Sequence, residues 1–148
     1  MTERLWTLDA RDLADPVADC LDALVTVGMV TDATAAAAAI AEREAEGSTY
    51  VGRDTALPHI VGAAARAPGM LVARCHPIAW GDNRVSLLLF LIAPGLDDLD
   101  ASGLADVIQR VVVIGLDSPS TLAAHQHTLD LFHELGARPF ERNGTTWA

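Results

Sequence analysis

The chain has 148 residues, 51% of them apolar, and a net charge of −10 from twenty acids against ten bases, all arginine. That length suffices for a single domain spanning 1–148 with a buried core, and no apolar run approaches the ~18 residues a membrane span requires. Counterion release on nucleic acid or on an anionic membrane needs a cationic face, so the acidic balance disfavours both as partners and leaves solubility, or steering of a basic protein, as the use of the charge.

The start, Met1-Thr2-Glu3-Arg4-Leu5-Trp6, lacks the charged-then-apolar pattern of a secretory leader. Cys20 and Cys75 fall in separate elements without Cys-x-x-Cys spacing, so buried thiols in a reducing, cytoplasmic setting are expected. Residues 4–8 alternate weakly and suit a short edge strand. Asp15-Pro16 is a helix start, a capping acid followed by proline at the first helical position. Val17, Cys20, Leu21, Leu24 and Val25 then form one apolar stripe that Gly28 ends. Thr31 or Asp32 caps a second helix, which runs through five alanines to about Glu46, with Gly47 as its terminator.

From Gly47 to His59 the composition predicts a long ordered connection, with Gly47 and Gly52 supplying backbone freedom and Pro58 stiffening the approach to the imidazole. Small residues at 61–65 and the turn Pro68-Gly69 follow. Met70–Cys75 reads as a strand, Pro77–Trp80 as a short extended piece, and Gly81-Asp82-Asn83 as a turn. Val85–Ile92 is a nearly unbroken apolar run, the signature of a central strand buried on both faces, and Pro94-Gly95 stops it. Asp97, Asp98 and Asp100 precede a helix carrying Leu104, Val107, Ile108, Val111 and Val112, which Gly115 is expected to end. Asp117 or Ser118 with Pro119 starts the last helix, with a break expected near 125–128, and Gly136 closes it. The tail from Ala137 is expected to fray. Helices, then strands, then helices, with no repeat or linker, describe an α/β domain: a small mixed sheet flanked by helices on both faces.

Among the histidines, His76 precedes a proline at a strand end and reads as a surface group. His125 and His133 share a helical face that His127 does not, and no carboxylate or cysteine completes a metal set. No serine sits in a strained elbow, and no glycine-rich phosphate loop is present. Arg43 sits in the last turn of its helix. There it either answers the helix dipole and a neighbouring acid, or turns its planar fork into the following loop toward phosphate oxygens.

The segment Arg43-Glu44 … Gly47-Ser48-Thr49 … Val51-Gly52 … Ala56-Leu57-Pro58-His59 resembles the phosphorylation-site signature of enzyme IIA domains of the fructose/mannitol class, components of the sugar phosphotransferase system. Pro77-Ile78-x-Trp80, the strand 85–92 and the acid-to-helix transition after it agree in order, so the resemblance covers about residues 15 to 135. It implies that His59 accepts a phosphoryl group from the phosphocarrier protein HPr and passes it to the IIB component of a membrane permease. The alternatives are a phosphorylation-dependent regulator of the same fold and a degenerate interaction module without phosphoryl transfer. Arg43 is then the arginine near the site, Thr49 and Ala56 shape its wall, and no metal, nucleotide or other cofactor is required.

Two positions depart from the family pattern. The family usually has a second histidine just before the helix that follows its long strand, and counting from the strand places Asp98 there, with Asp97 as rival. Such a carboxylate would orient an imidazole but repel phosphate. Asp54 stands where the family often has glycine, adding a negative charge near the loop.

Overall fold

The computed structural model describes residues 4–142, 145 and 146. In chain order the elements are β1 (Leu5–Asp9), α1 (Pro16–Thr26), α2 (Ala33–Glu46), β2 (Thr55–Ala56), β3 (His59–Val61), β4 (Gly69–Trp80), β5 (Asn83–Ala93), α3 (Asp97–Ala101), α4 (Leu104–Asp117), α5 (Thr121–Glu134), β6 (Arg138–Pro139), β7 (Glu141–Arg142) and β8 (Thr145–Thr146). The main sheet runs β2-β5-β4-β1-β6, with β3 also pairing to β5. Within this sheet only β4 and β5 are antiparallel; β1 lies parallel to β4 and β6, and β2 and β3 lie parallel to β5. The sheet is therefore mixed, as the sequence predicts.

Period-two alternation in the two long strands divides the core. Leu88, Phe90 and Ile92 of β5 and Leu71, Ala73 and Cys75 of β4 face one layer, with Cys20, Leu21 and Leu24 of α1 and Ala36 and Ile40 of α2. Leu87, Leu89 and Leu91 of β5 and Met70 and Val72 of β4 face the other, with Leu104, Val107 and Val111 of α4 and Leu129 and Phe132 of α5. A sheet face or helix stripe must cover its apolar side, and helices on both faces of one sheet do so for every element. Each fully buried leucine contributes roughly 1.5–3 kcal/mol of transfer free energy, so β5 anchors the molecule.

Several local expectations are corrected. The strand and the extended piece before Gly81 are one strand, β4, interrupted by a shift of register between Arg74 and Ile78; a bulge lets the chain pass Pro77, which has no ladder N–H. Gly115 does not end α4. The helix continues to Asp117, and the Ser118 hydroxyl closes it by donating to the Ile114 carbonyl at 2.5 Å. Ser118 being thus occupied, the cap of α5 is Ser120, whose hydroxyl accepts from Ala123 N–H at 3.1 Å, and α5 runs unbroken. Val112 and Val25, placed on apolar stripes by spacing, are 43% and 37% exposed, because each stripe is narrower than the template allows.

The edge strand expected at residues 4–8 is covered. Residues 138–139, part of the tail expected to fray, add a parallel strand beside it through Trp6↔Arg138 and Thr7↔Pro139. The Arg138 guanidinium sits over the Trp6 ring at 5.2 Å, a cation–π contact that pins the addition. The rest of that expectation, at residues 143, 144, 147 and 148, lies outside the described residues.

Candidate functional site

His59 opens β3, beside Leu91 of the central strand. Its position follows from the chain before it. The Pro58 carbonyl joins the ladder, accepting from Leu91 N–H at 2.9 Å, and Leu57 turns its own carbonyl back onto the imidazole. His59 Nδ1 lies 2.6 Å from Leu57 O. A carbonyl can only accept, so Nδ1 carries the proton and Nε2 keeps the lone pair. Burial lowers the His59 pKa below its ordinary value, with Arg43 pushing the same way and the Leu57 carbonyl and Glu44 opposing. The ring is therefore neutral at pH 7, the state a nitrogen nucleophile needs.

Around His59 lies a cleft of about 320 Å³ lined by Ala39, Glu42, Arg43, Glu46, Val61 and Leu96. The α2 contribution is one helical face, at spacings of 0, 3, 4 and 7. Arg43 Nη1 donates to Gly47 O at 2.8 Å, closing the last turn of the helix. The helix-end role of Arg43 is seen directly, and its place in the cleft is compatible with the phosphate role. The side chain caps its helix, and it lies close enough to His59 to shift the imidazole electrostatically. Glu42 and Glu46 bring carboxylates to the same cleft, so the negative charge there comes from α2.

Thr49 is buried beneath the loop. Its N–H donates to one Glu44 carboxylate oxygen at 3.2 Å, and its hydroxyl donates to the other. Trp80 Nε1 donates to the same hydroxyl at 3.3 Å. The Thr49 carbonyl accepts from Leu57 N–H at 2.9 Å, so Thr49 supports the residue that holds His59 rather than lining the cleft. Ala56 is fully buried in β2, paired with Leu88 and packed into the core; it does not line the cleft either.

Asp98 is placed elsewhere than the sequence count implies. Its carboxylate accepts from Gly95 N–H at 2.9 Å, capping the turn after β5, and among the described residues it does not line the His59 cleft or figure in the electrostatics of the ring. The rival Asp97, one residue before it, does not line the cleft either. The residue of this segment in the cleft is Leu96, which is 68% exposed. The count slipped because a five-residue helix, α3, intervenes: the residue immediately before the long helix α4 is Gly103, in a left-handed conformation with φ +81°. Asp54 also faces away. Its charge acts on His125, not on His59, and its φ is +53°. Glycine would hold that backbone conformation without strain.

Sequence reasoning passed over the Leu57 carbonyl, Glu42, Glu46 and Leu96. Glu42 and Glu46 were accessible to it, since the spacing template applied to apolar stripes also puts 39, 42, 43 and 46 on one face. A backbone acceptor two residues from its histidine has no side-chain signature.

The family model described as "Phosphoenolpyruvate-dependent sugar phosphotransferase system, EIIA 2" matches residues 6–124. Nothing among the curated proteins matches the chain. Among solved structures, a putative PTS IIA (PtxA) from Streptococcus mutans shares 19% identity at a TM-score of 0.59, covering 90% of this chain and 89% of that one. A putative PTS IIA domain from Streptococcus pyogenes M1 GAS shares 20% identity at a TM-score of 0.59, covering 90% and 91%. The nitrogen regulatory protein IIA-Ntr from Neisseria meningitidis shares 17% at a TM-score of 0.55, covering 84% and 92%. At these identities the likeness is one of fold.

Proposed function

This chain belongs to the EIIA 2 family of the phosphoenolpyruvate-dependent sugar phosphotransferase system, and we propose that within it His59 is the phosphoryl acceptor, Nε2 being the attacking atom. The donor is phospho-HPr and the recipient the IIB component of a permease, in the cytoplasm; the family supports the phosphoryl-carrier role, and these finer assignments are our reading. The observation that carries it is the 2.6 Å contact between Nδ1 and Leu57 O, which leaves Nε2 unprotonated in a cleft that also holds Arg43.

In the transfer, the Nε2 lone pair attacks phosphorus as the P–N bond of the donor phosphohistidine breaks, and that electron pair returns to the donor ring. The His59 proton stays on Nδ1, so the product is a phospho-imidazolium whose cationic charge the Leu57 carbonyl stabilises. Arg43 offers N–H groups beyond the one on Gly47 to the equatorial oxygens, where charge accumulates. Glu42 and Glu46 oppose the bound phosphoryl group, which suits a group that must leave again. The transfer itself calls for no metal or cofactor.

Incubation with phosphoenolpyruvate, enzyme I and HPr, read by intact mass, tests this. An acid-labile adduct of one phosphate is expected, and it should vanish in His59→Ala. Lack of the adduct with components that label a known IIA protein would overturn the assignment. The regulatory alternative differs in the recipient only: transfer onward to a IIB component supports a carrier, and retention of the phosphate in its presence supports a regulator.

A further inference from the structure

The turn before the His59 loop is strained and is clamped from the opposite side of the molecule. Arg53 and Asp54 both have φ of +53°, a conformation that non-glycine residues adopt sparsely and that persists where surroundings enforce it. The enforcement is visible. Arg53 Nε donates to Gly115 O at 3.0 Å and Nη2 to Ser118 O at 2.5 Å, fastening the side chain to the carbonyl end of α4. The Arg53 carbonyl accepts from His125 Nε2–H at 2.6 Å and from the Thr55 hydroxyl at 3.0 Å. His125 is 5% exposed, a buried histidine that the transfer chemistry leaves unused.

This clamp is connected to the imidazole of His59 by a short stretch of backbone. Thr55 O accepts from Val51 N–H at 2.9 Å and Gly52 O from Thr55 N–H at 3.1 Å, so the turn is closed on itself and hands its geometry to β2. Two residues on stands Leu57, whose carbonyl selects the His59 tautomer. β2 is only two residues long, and the strained turn joins it directly, the Asp54 carbonyl accepting from Ser86 N–H at 2.9 Å and from Leu87 N–H at 3.2 Å on β5.

We infer that Arg53 and His125 form a latch between α4, α5 and the strained turn, and that both are positioning residues which keep the Leu57 carbonyl on His59 Nδ1 and thereby keep Nε2 nucleophilic. His125 lies beyond the matched residues 6–124 of the family model, and the latch uses a turn in which Asp54, a non-glycine residue, holds a positive φ. The chain thus meets a backbone demand with side-chain bonds where glycine would meet it unaided. The consequence for phosphoryl transfer rests on His59 being the acceptor; the consequence for the ring tautomer does not.

The test uses the full chain with 15N-labelled histidine, and reads the His59 ring nitrogens by NMR alongside the phosphorylation rate. Wild type should show one neutral tautomer, protonated at Nδ1. His125→Phe, which keeps an aromatic ring but loses the donor, should show a mixture of tautomers and a rate lower by on the order of tenfold or more, since misplacement of a reacting group by an ångström is that costly. Asp54→Gly added to His125→Phe should restore both readings, because it removes strain the latch opposes. A folded His125→Phe protein with an unchanged ring spectrum overturns the inference, whatever its rate. Should His125→Phe fail to fold, Arg53→Met decides by the same two readings, since it removes the two guanidinium bonds from a partly exposed site. If wild type takes no phosphate, the acceptor assignment falls and the ring spectrum alone still decides the latch.

Discussion

At the scale of single residues, the site works by dividing the two nitrogens of one imidazole. Leu57 O accepts a hydrogen bond from Nδ1–H, and Nε2 keeps the lone pair. Arg43 lines the same cleft and acts on this ring, and its replacement by alanine should lower the phosphorylation rate by on the order of 10², the usual effect of losing one preorganised donor to a developing charge. A decrease of less than about threefold, measured by quenched-flow labelling, would show that the guanidinium serves only Gly47. Asp98 should behave differently. Asp98→Ala removes the acceptor for Gly95 N–H and costs about 1 kcal/mol in urea denaturation, as capping groups do, while labelling stays near the wild-type rate. A large change in labelling would return Asp98 to the site.

At the scale of elements, the loop owes its shape to what lies on either side of it. β5 supplies the fixed wall, with Leu87, Leu89 and Leu91 turned to one layer and Leu88, Phe90 and Ile92 to the other. β4 passes beside it under a tight constraint at Gly69. A Cβ there would come 2.2 Å from Met29 Cε and 2.4 Å from the Arg4 carbonyl oxygen. The methionine can move and the backbone cannot, so Gly69→Ala should destabilise the protein by roughly 1–3 kcal/mol, the usual range for overpacking. Thermal unfolding checks this, and an unchanged midpoint would mean that β1 shifts without cost. Helix ends and strand runs were legible in the sequence because their causes are local: Asp15 before Pro16, Asp32 before the alanines, and the apolar run of β5. The α3 interruption was not legible, since Asp97, Asp98 and Asp100 read equally well as acids leading into the long helix. Nor was the end of α4, which depends on whether Ser118 folds its hydroxyl back onto Ile114 or turns outward to cap α5.

At the scale of the whole molecule, two buried or half-buried histidines couple stability to pH. Burial lowers the pKa of His125 first of all. The Arg53 carbonyl and Asp54 oppose the shift, and Arg74 reinforces it; burial lowers His59 likewise. Both rings therefore bind protons less readily folded than unfolded. Their contribution is fully present above the unfolded value near 6.5 and is lost as pH falls through the lowered folded values. Stability in urea should fall between pH 7.5 and pH 5.5, and the slope should be shallower in His125→Phe. A stability that rises on acidification would contradict the sign. The charge of −10 gives a further expectation: the bimolecular rate of phosphoryl transfer from a basic carrier surface should fall about tenfold or more between low and high salt. A salt-independent rate would leave solubility as the role of the charge.

The sequence by itself determined most of the elements and the acceptor candidate. Apolar periodicity, capping residues and Pro58-His59 act over a few neighbours, and the signature from Arg43 to His59 needed nothing beyond residue order. Only the tertiary structure decided which groups stand around that imidazole. It brought Arg43, Glu42, Glu46 and Leu96 to the cleft, turned Asp98 and Asp54 away, and tied Arg53 to the end of α4 and to His125, more than sixty residues along the chain. Contacts of that kind depend on how two helical layers close over a sheet. The tautomer itself depends on a backbone carbonyl, which every residue carries and no sequence pattern can mark.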